Sequence, residues 1–367
     1  MIITKPTLLL DKNKCKKNIQ KMFHKAQQHN VILRPHFKTH QSLEIGQWFK
    51  NIGVTKITVS SLEMAEYFAE QWDDITIAFP VNILEINTIN SLAEKITLNL
   101  LIESQETADF LNMNLKHCVN YLIKINIGNN RTGLVYSDAE SIENILESTK
   151  DSVHLNFKGF LGHAGQTYNC KGETEIIEAH QKSKQKLLRL KDVFKTRFPD
   201  LILSYGDTPS CSIAKDFNGL DEIRPGNYVF YDVMQQQIGA CSIDDIAVAM
   251  ACPIVAIHKD RNDIVIYGGG IHFSKDSIKE NDKTIYGKVI RKKENGWGNL
   301  IPNMFVRALS QEHGILKVPS TEIDNYKIGD TLIILPVHSC MTANLMKNYL
   351  TTENEEISML NPYKFKA

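Results

Sequence analysis

The first candidate for chemistry is a lysine at the end of an apolar run, in the stretch Val31-Ile32-Leu33-Arg34-Pro35-His36-Phe37-Lys38-Thr39-His40. In an extended chain alternate residues share a face, so Arg34, His36 and Lys38 point one way and Leu33 and Phe37 the other. A barrel strand normally fills its interior with Val, Ile or Leu. One carrying three basic groups on a face suits the edge of a reaction centre. Neighbouring positive charge and partial burial both disfavour the ammonium form of Lys38, and a neutral amine is what attacks an aldehyde to form a Schiff base. On this stretch alone a solvated basic strand end that binds an anion is an equally good reading, because perturbed groups also occur in structural networks.

Two glycine turns further along could hold such an anion. One is Ser204-Tyr205-Gly206-Asp207-Thr208-Pro209-Ser210, where Gly206 frees backbone N–H groups and Thr208 offers a hydroxyl; the other is Arg224-Pro225-Gly226-Asn227. Amides at such turns favour an anion. A phosphate site together with Lys38 suggests pyridoxal phosphate, with an aldehyde for the lysine and a phosphate for the turns. Gly162-His163-Ala164-Gly165-Gln166-Thr167-Tyr168 places His163 to lie over a pyridine ring and Tyr168 to approach its nitrogen or the substrate. In Asn126-Ile127-Gly128-Asn129-Asn130-Arg131, Arg131 is placed to reach the phenolic oxygen. A plain hydrogen-bonded histidine and a surface ion pair are the alternatives for His163 and Arg131.

The third constellation is Pro336-Val337-His338-Ser339-Cys340. On an extended chain His338 and Cys340 share a face, and both are good zinc ligands. Two ligands are too few for a closed structural site but suit an open catalytic one. The alternative is a half-buried histidine beside an inert cysteine.

Positioning these groups calls for a scaffold. Strand-like runs near 31–38, 54–60, 75–80, 96–102, 119–127, 157–163, 201–206 and 221–224 alternate with helical patterns such as 61–72 and 173–197. Eight strands alternating with helices predict a parallel (β/α)8 barrel of the TIM type over residues 11–235, with active groups at the C-terminal ends of its strands and phosphate after strands seven and eight. Beyond 235 short strand-like runs follow one another with few helical patterns, which predicts a smaller, mostly β domain over 236–367 that residues 1–10 join. The charged stretch 275–300 reads as a surface excursion and 341–350 as a helix returning toward the barrel.

Composition narrows the function. Lys+Arg and Asp+Glu both number 42 in 367 residues, so the net charge is zero and no electrostatic footprint for nucleic acid or a membrane surface is present. No apolar run approaches the ~20 residues of a spanning helix. The start of the chain, MIITKPTLLLDKNK, lacks the apolar core and cleavage site of a signal peptide. Seven scattered cysteines suit a reducing cytoplasm better than a disulfide framework.

RPHFKTH, GHAGQTY, GDTPSCS, RPGNYVFYD and PVHSC, in this order, resemble the D-serine dehydratase and D-threonine aldolase family, the alanine-racemase-like, fold type III pyridoxal phosphate enzymes. The resemblance covers nearly the whole chain. It implies that Lys38 is the cofactor lysine, that Tyr205, Gly206, Thr208, Gly226 and Asn227 hold the phosphate, and that His338 and Cys340 bind Zn2+. The His-x-Cys pair is similar to the zinc-dependent D-serine dehydratases, whereas the D-threonine aldolases have Asp at the cysteine position. Asp207 departs from the small residue expected in the phosphate turn, so its carboxylate must point away from the phosphate. The implied reaction takes D-serine or a related D-3-hydroxyamino acid to a 2-oxo acid and ammonia, with Lys38 as the base and zinc on the β-hydroxyl. A homodimer is expected. The rivals are retro-aldol cleavage on the same scaffold, an amino-acid racemase, for which Tyr286 would supply the second base, and a pyridoxal phosphate carrier protein, which resembles the barrel alone and leaves 236–367 unexplained.

Overall fold

The computed structural model describes residues 2–294 and 296–361. Its contacts divide the chain into two units, one comprising residues 20–38 and 45–226 and the other comprising 1–19, 39–44 and 227–367.

The first unit is a parallel barrel. Its strands are β1 (Ile32–Leu33), β2 (Ile57–Val59), β3 (Asp74–Pro80), β4 (Thr97–Ile102), β5 (Val119–Asn126), β6 (Leu155–Gly162), β7 (Ile202–Tyr205) and β8 (Glu222–Ile223). From β2 to β8 each pairs in parallel with the next, and β8 pairs with β1. The ring closes between β1 and β2 through the parallel bridge His36–Thr58, where the Phe37 amide donates to the Thr58 carbonyl and the Thr58 amide to that of Pro35. The expected TIM-type barrel is therefore present. Its strands read as apolar runs because helices cover the outer face: in β4 every residue after Thr97 is buried. Caps start the helices where the sequence supplies them: Ser61 accepts from the Met64 amide, Ser104 from Thr107 and Asp138 from Ser141. Leu101, Leu122 and Leu161 pack on one another in the core.

The second unit is mostly β. Strands β9 (Val248–His258), β10 (Asp263–Tyr267), β11 (Gly287–Lys293), β12 (Gly296–Leu309), β13 (His313–Lys317) and β14 (Thr331–Pro336) follow the order β10-β13-β12-β11-β14-β9. β9 also pairs back onto β10, which closes the ring. The N-terminal strand Thr7–Leu10 joins antiparallel to β9, as its sequence suggested, and β15 (Asn348–Thr351) and β16 (Glu356–Ser358) extend the sheet beyond it. The surface excursion expected over 275–300 is corrected. Ile278–Glu280 and Lys283–Ile285 form a hairpin, but β11 is an interior member of the ring, paired with both β12 and β14. Val289 and Ile290 are fully buried there. The four charged residues of β11 hid this, because Lys and Arg stems can cover apolar surface while their heads stay in water. The helix expected over 341–350 spans Ser339–Met346 instead, and residues 348–350 belong to β15.

Candidate active site

The barrel gathers its chemistry at the C-terminal ends of its strands. β1 stops at Leu33, and the chain then runs as Arg34 to Lys38 across the strand ends, with the His36 amide donating to the Pro225 carbonyl. β6 stops at Gly162 and delivers His163, whose Nδ1 lies 2.6 Å from the Gly206 carbonyl oxygen. A carbonyl can only accept, so His163 carries its proton on Nδ1. Burial first, then the charges of Lys38 and Arg224, drive its pKa well below the usual value, and the imidazole is neutral. His36 is neutral for the same reasons in the same order.

Three strand-end turns are locked together. The turn after β6 reaches the turn after β7 twice, through His163 and through Thr167, whose hydroxyl donates to Asp207 Oδ1 at 2.9 Å. The turns after β7 and β8 meet where the Gly226 amide donates to Thr208 Oγ1 at 3.3 Å and the Arg224 amide to the Tyr205 carbonyl at 2.8 Å. Gly206 is required here, since a Cβ on it would sit 2.7 Å from the Arg224 nitrogen. Asp207 caps the helix Thr208–Ile213, accepting from the Ser210 amide at 2.6 Å. Burial nevertheless pushes its pKa up to about 6, against those hydrogen bonds, and its Oδ2 is buried without a partner.

The pocket is rich in buried cations. Arg224 donates to Ser204 Oγ and to the Gly162 carbonyl, both at 2.6 Å, and burial lowers its pKa to about 10 even with Glu222 in support. Lys124, on β5, is buried with its ammonium 3.2 Å from the Ile125 carbonyl. Burial and then Arg224 and Arg131 bring it down to about 7. Arg131 itself is exposed in the loop after β5, yet its charge is felt at both His36 and Lys124. Tyr168 is half-buried in the single turn Gly165–Asn169 that follows His163.

The second unit holds the other pair. β14 ends at Pro336, and the chain turns into the helix Ser339–Met346 with His338 as the residue before its first turn. The extended-strand reading of this motif is thus corrected: His338 keeps an extended backbone, at φ −131° and ψ 99°, but Cys340 is already helical. A helix cap, and no shared strand face, brings the imidazole and thiol into hydrogen-bonding range. His338 Nδ1 also lies 3.4 Å from Asp276 Oδ2. Burial opposes the imidazolium, but Asp276 and then Cys340 push the pKa up to about 11. Burial likewise opposes the Cys340 thiolate, while His338 and then Thr39 lower its pKa. Thr39 Oγ1 is 3.2 Å from the sulfur and Asn227 Nδ2 is 3.4 Å from it. Asp232 ties this corner together, accepting from Asn227 at 2.6 Å and from the Ser339 amide at 3.0 Å.

Residues 10–233 match the family model described as "Alanine racemase, N-terminal domain", and residues 247–352 match "Putative serine dehydratase domain". The chain belongs to the D-serine dehydratase and D-threonine aldolase family, on the alanine-racemase-like fold. It is an enzyme of the D-serine dehydratase type, a lyase by class. A D-serine dehydratase from Dictyostelium discoideum is 29% identical over 399 residues, covering 98% of this chain and 96% of that one. A D-threo-3-hydroxyaspartate dehydratase from Delftia sp. is 25% identical over 350 residues, covering 92% and 91%. The solved structure of the Delftia enzyme superposes with a TM-score of 0.89 at 23% identity, covering 98% of each chain.

Within that family frame several residues turn out differently from their sequence reading. Tyr205 is fully buried, with its hydroxyl on Ser210 Oγ at 2.9 Å and beside His180 Nδ1 at 3.0 Å, so its side chain braces the turn after β7. Asn227 turns its side-chain amide to Asp232, Ser339 and Cys340. Arg34 leaves the reaction face altogether: buried, it ion-pairs with Glu222 at 2.8 Å and Asp74 at 2.7 Å. Lys124, Arg224 and Asp276 were not singled out. A lysine inside the apolar run of β5 was a legible signal for the first. Asp276 lies 62 residues before His338 in a charged stretch and gave none.

Proposed function

We propose that this enzyme is a pyridoxal phosphate- and zinc-dependent dehydratase that takes D-serine or a related D-3-hydroxyamino acid to a 2-oxo acid and ammonia. The observation that carries the reading is the thiol at position 340, paired with His338. A thiolate is soft and suits zinc, whereas magnesium and manganese prefer oxygen donors. Among the described residues no cluster of three His, Cys, Asp or Glu side chains is arranged to hold a metal, so the protein would supply two ligands and leave positions open. The relatives support the same direction: two are dehydratases of D-hydroxyamino acids, and one solved structure is of a D-threo-3-hydroxyaspartate dehydratase cysteine-to-alanine mutant in the metal-free form.

The barrel residues fit the phosphorylated cofactor. Thr208 Oγ1 and the amides around Gly206 and Gly226 would take the phosphate, in a pocket whose buried cations already favour an anion. Neutral His163 would present its ring face, with its Nδ1–H spent on Gly206. When bound, pyridoxal phosphate supplies an aldehyde and an electron-withdrawing ring, and zinc supplies a Lewis acid at a hydroxyl. The chain's own residues do the rest. Lys38 Nζ removes and holds the proton from the substrate α-carbon. His338 and Cys340 would hold the zinc ion, which would supply an acid for a departing hydroxyl. Hydroxide is a poor leaving group, so elimination needs an acid at that oxygen, while a retro-aldol cleavage needs the oxygen to stay on carbon. Zinc held at Cys340 would supply that acid, and the dehydratase relatives favour elimination over cleavage.

The test is a panel of D-hydroxyamino acids assayed for ammonia. Chelation, or Cys340→Ala, is expected to abolish ammonia release from D-serine while the cofactor's near-visible band persists. The metal role is wrong if the chelated enzyme keeps its full rate. Glycine and acetaldehyde from D-threonine would make it an aldolase.

A further inference from the structure

Asp276 sits in a loop built at visible conformational cost. The loop leaves β10 through Gly268, Gly269 and Gly270, whose backbones lie on residues 310–312: the Gly268 amide donates to the Glu312 carbonyl at 2.9 Å and the Gly270 amide to that of Ser310 at 2.7 Å. A Cβ on Gly269 would come within 2.2 Å of the Gln311 oxygen. One helical turn follows, and its last carbonyl, that of Phe273, accepts from Thr342 Oγ1 at 3.0 Å. Thr342 lies on the helix that begins after His338, so the loop and the metal helix are pinned together. Ser274 comes next, at φ 69° and ψ −177°. That region is essentially glycine's own, and any other residue there is strained. Glycine would relieve the strain but would lack what Ser274 provides: its hydroxyl donates to Asp276 Oδ2 at 2.8 Å and accepts from the Asp276 amide at 3.2 Å. The carboxylate oxygen so fixed is the one 3.4 Å from His338 Nδ1.

A carboxylate on Nδ1 decides what the other ring nitrogen does. It keeps the proton on Nδ1, holds the ring plane, and leaves the Nε2 lone pair for a metal. We propose that Asp276, braced by Ser274, is the positioning residue that presents His338 Nε2 to zinc, and that the strained serine is kept for its hydroxyl. This inference rests on the zinc reading of the proposed function.

The test is the equilibrium zinc affinity of the full-length protein, by competition against a chromogenic chelator, with cobalt as a spectroscopic stand-in. Removing such an outer partner typically weakens metal affinity 10–100-fold. Asp276→Ala and Asp276→Asn are expected to fall in that range, Asp276→Glu to recover part of it, and the cobalt–thiolate band from Cys340 to remain. Ser274→Gly is expected to weaken zinc binding severalfold while the melting temperature holds or rises, a split that a merely structural serine would not give. The Ser274→Gly variant also carries the test if Asp276→Ala does not fold. Zinc affinity within twofold of wild type for Asp276→Asn and Ser274→Gly would overturn the assignment. If wild-type protein binds no zinc in a Cys340-dependent way, the zinc reading itself falls, and that outcome is distinct.

Discussion

The histidines of the barrel and the histidine of the β unit are the same side chain under opposite forces. In the barrel, His36 and His163 are stripped of water and surrounded by Lys38, Arg224 and Arg131 or Lys124, so their pKa values fall well below the usual range. In the β unit His338 is also largely buried, but its neighbours are Asp276 and the Cys340 sulfur, and its pKa rises to about 11. Burial acts in one direction in both places. The sign of the neighbouring charge decides the outcome. A cationic, neutral-imidazole pocket suits an anionic, planar ligand, while an anion-backed imidazole next to a thiolate suits a metal cation.

The widest break in this comparison should come at Lys38. Replacing it with Ala is expected to lower turnover by at least 10²–10⁴-fold, the range for a positioned proton-transfer group, since under the proposed function the variant would lose its cofactor linkage as well. Borohydride treatment of the wild-type protein should fix the cofactor on Lys38, and peptide mapping that finds another lysine modified would remove the barrel centre from the mechanism.

A second prediction divides the basic face of the first strand. Arg34 serves the fold: burial opposes its charge, but Glu222 and Asp74 hold it, and Glu222 in turn is kept ionised by Arg34 against burial. Removing one partner of a buried pair typically costs about 3–5 kcal/mol. Arg34→Met is expected to lose that much in denaturant unfolding, with cofactor affinity under native conditions changed less than threefold. A variant of normal stability and lost cofactor affinity would return Arg34 to the reaction face.

How much of this was legible depends on the distance over which the signal acts. Barrel strands and their turn residues are local patterns, so Lys38, His163, Gly206 and Gly226 could be placed from their neighbours in sequence. The period-2 argument failed at both ends of the chain for one reason. Arg34 to Lys38 lie past the end of β1, and Cys340 lies past the end of β14, where extended periodicity no longer applies. The helix cap at His338 served the same purpose by another geometry. Partners set by tertiary contact were not readable at all: nothing near Asp276 or Arg224 in sequence announces His338 or Gly162. β11 was misread because its two buried apolar side chains, Val289 and Ile290, stand among three lysines and an arginine.

The smallest effect tests the comparison through pH, and its sign separates two kinds of barrel group. His36 and His163 have depressed pKa values, so their stability contribution is present above the unfolded value, near 6.5, and is lost as pH falls below it. Asp207 works in reverse. Its folded pKa of about 6 lies above the ordinary 3.8, because burial penalises the carboxylate more than Ser210 and Thr167 support it. The folded state therefore holds the proton more tightly than the unfolded state between about 3.8 and 6. The contribution of Asp207 is fully present below that window and is lost as pH rises through it. The two trends overlap in wild-type protein, so the informative quantity is the difference from Asp207→Asn, which keeps a good helix cap and cannot ionise. That difference is expected to favour the Asn variant at pH 7.5 by roughly 1–3 kcal/mol, consistent with the cost of a buried, incompletely partnered polar group, and to shrink toward zero as pH falls to 4. A wild-type protein that instead gains on the variant as pH rises from 4 to 7 would mean that the carboxylate is stabilised in its charged form, and that the cationic pocket of the barrel extends to the capping turn.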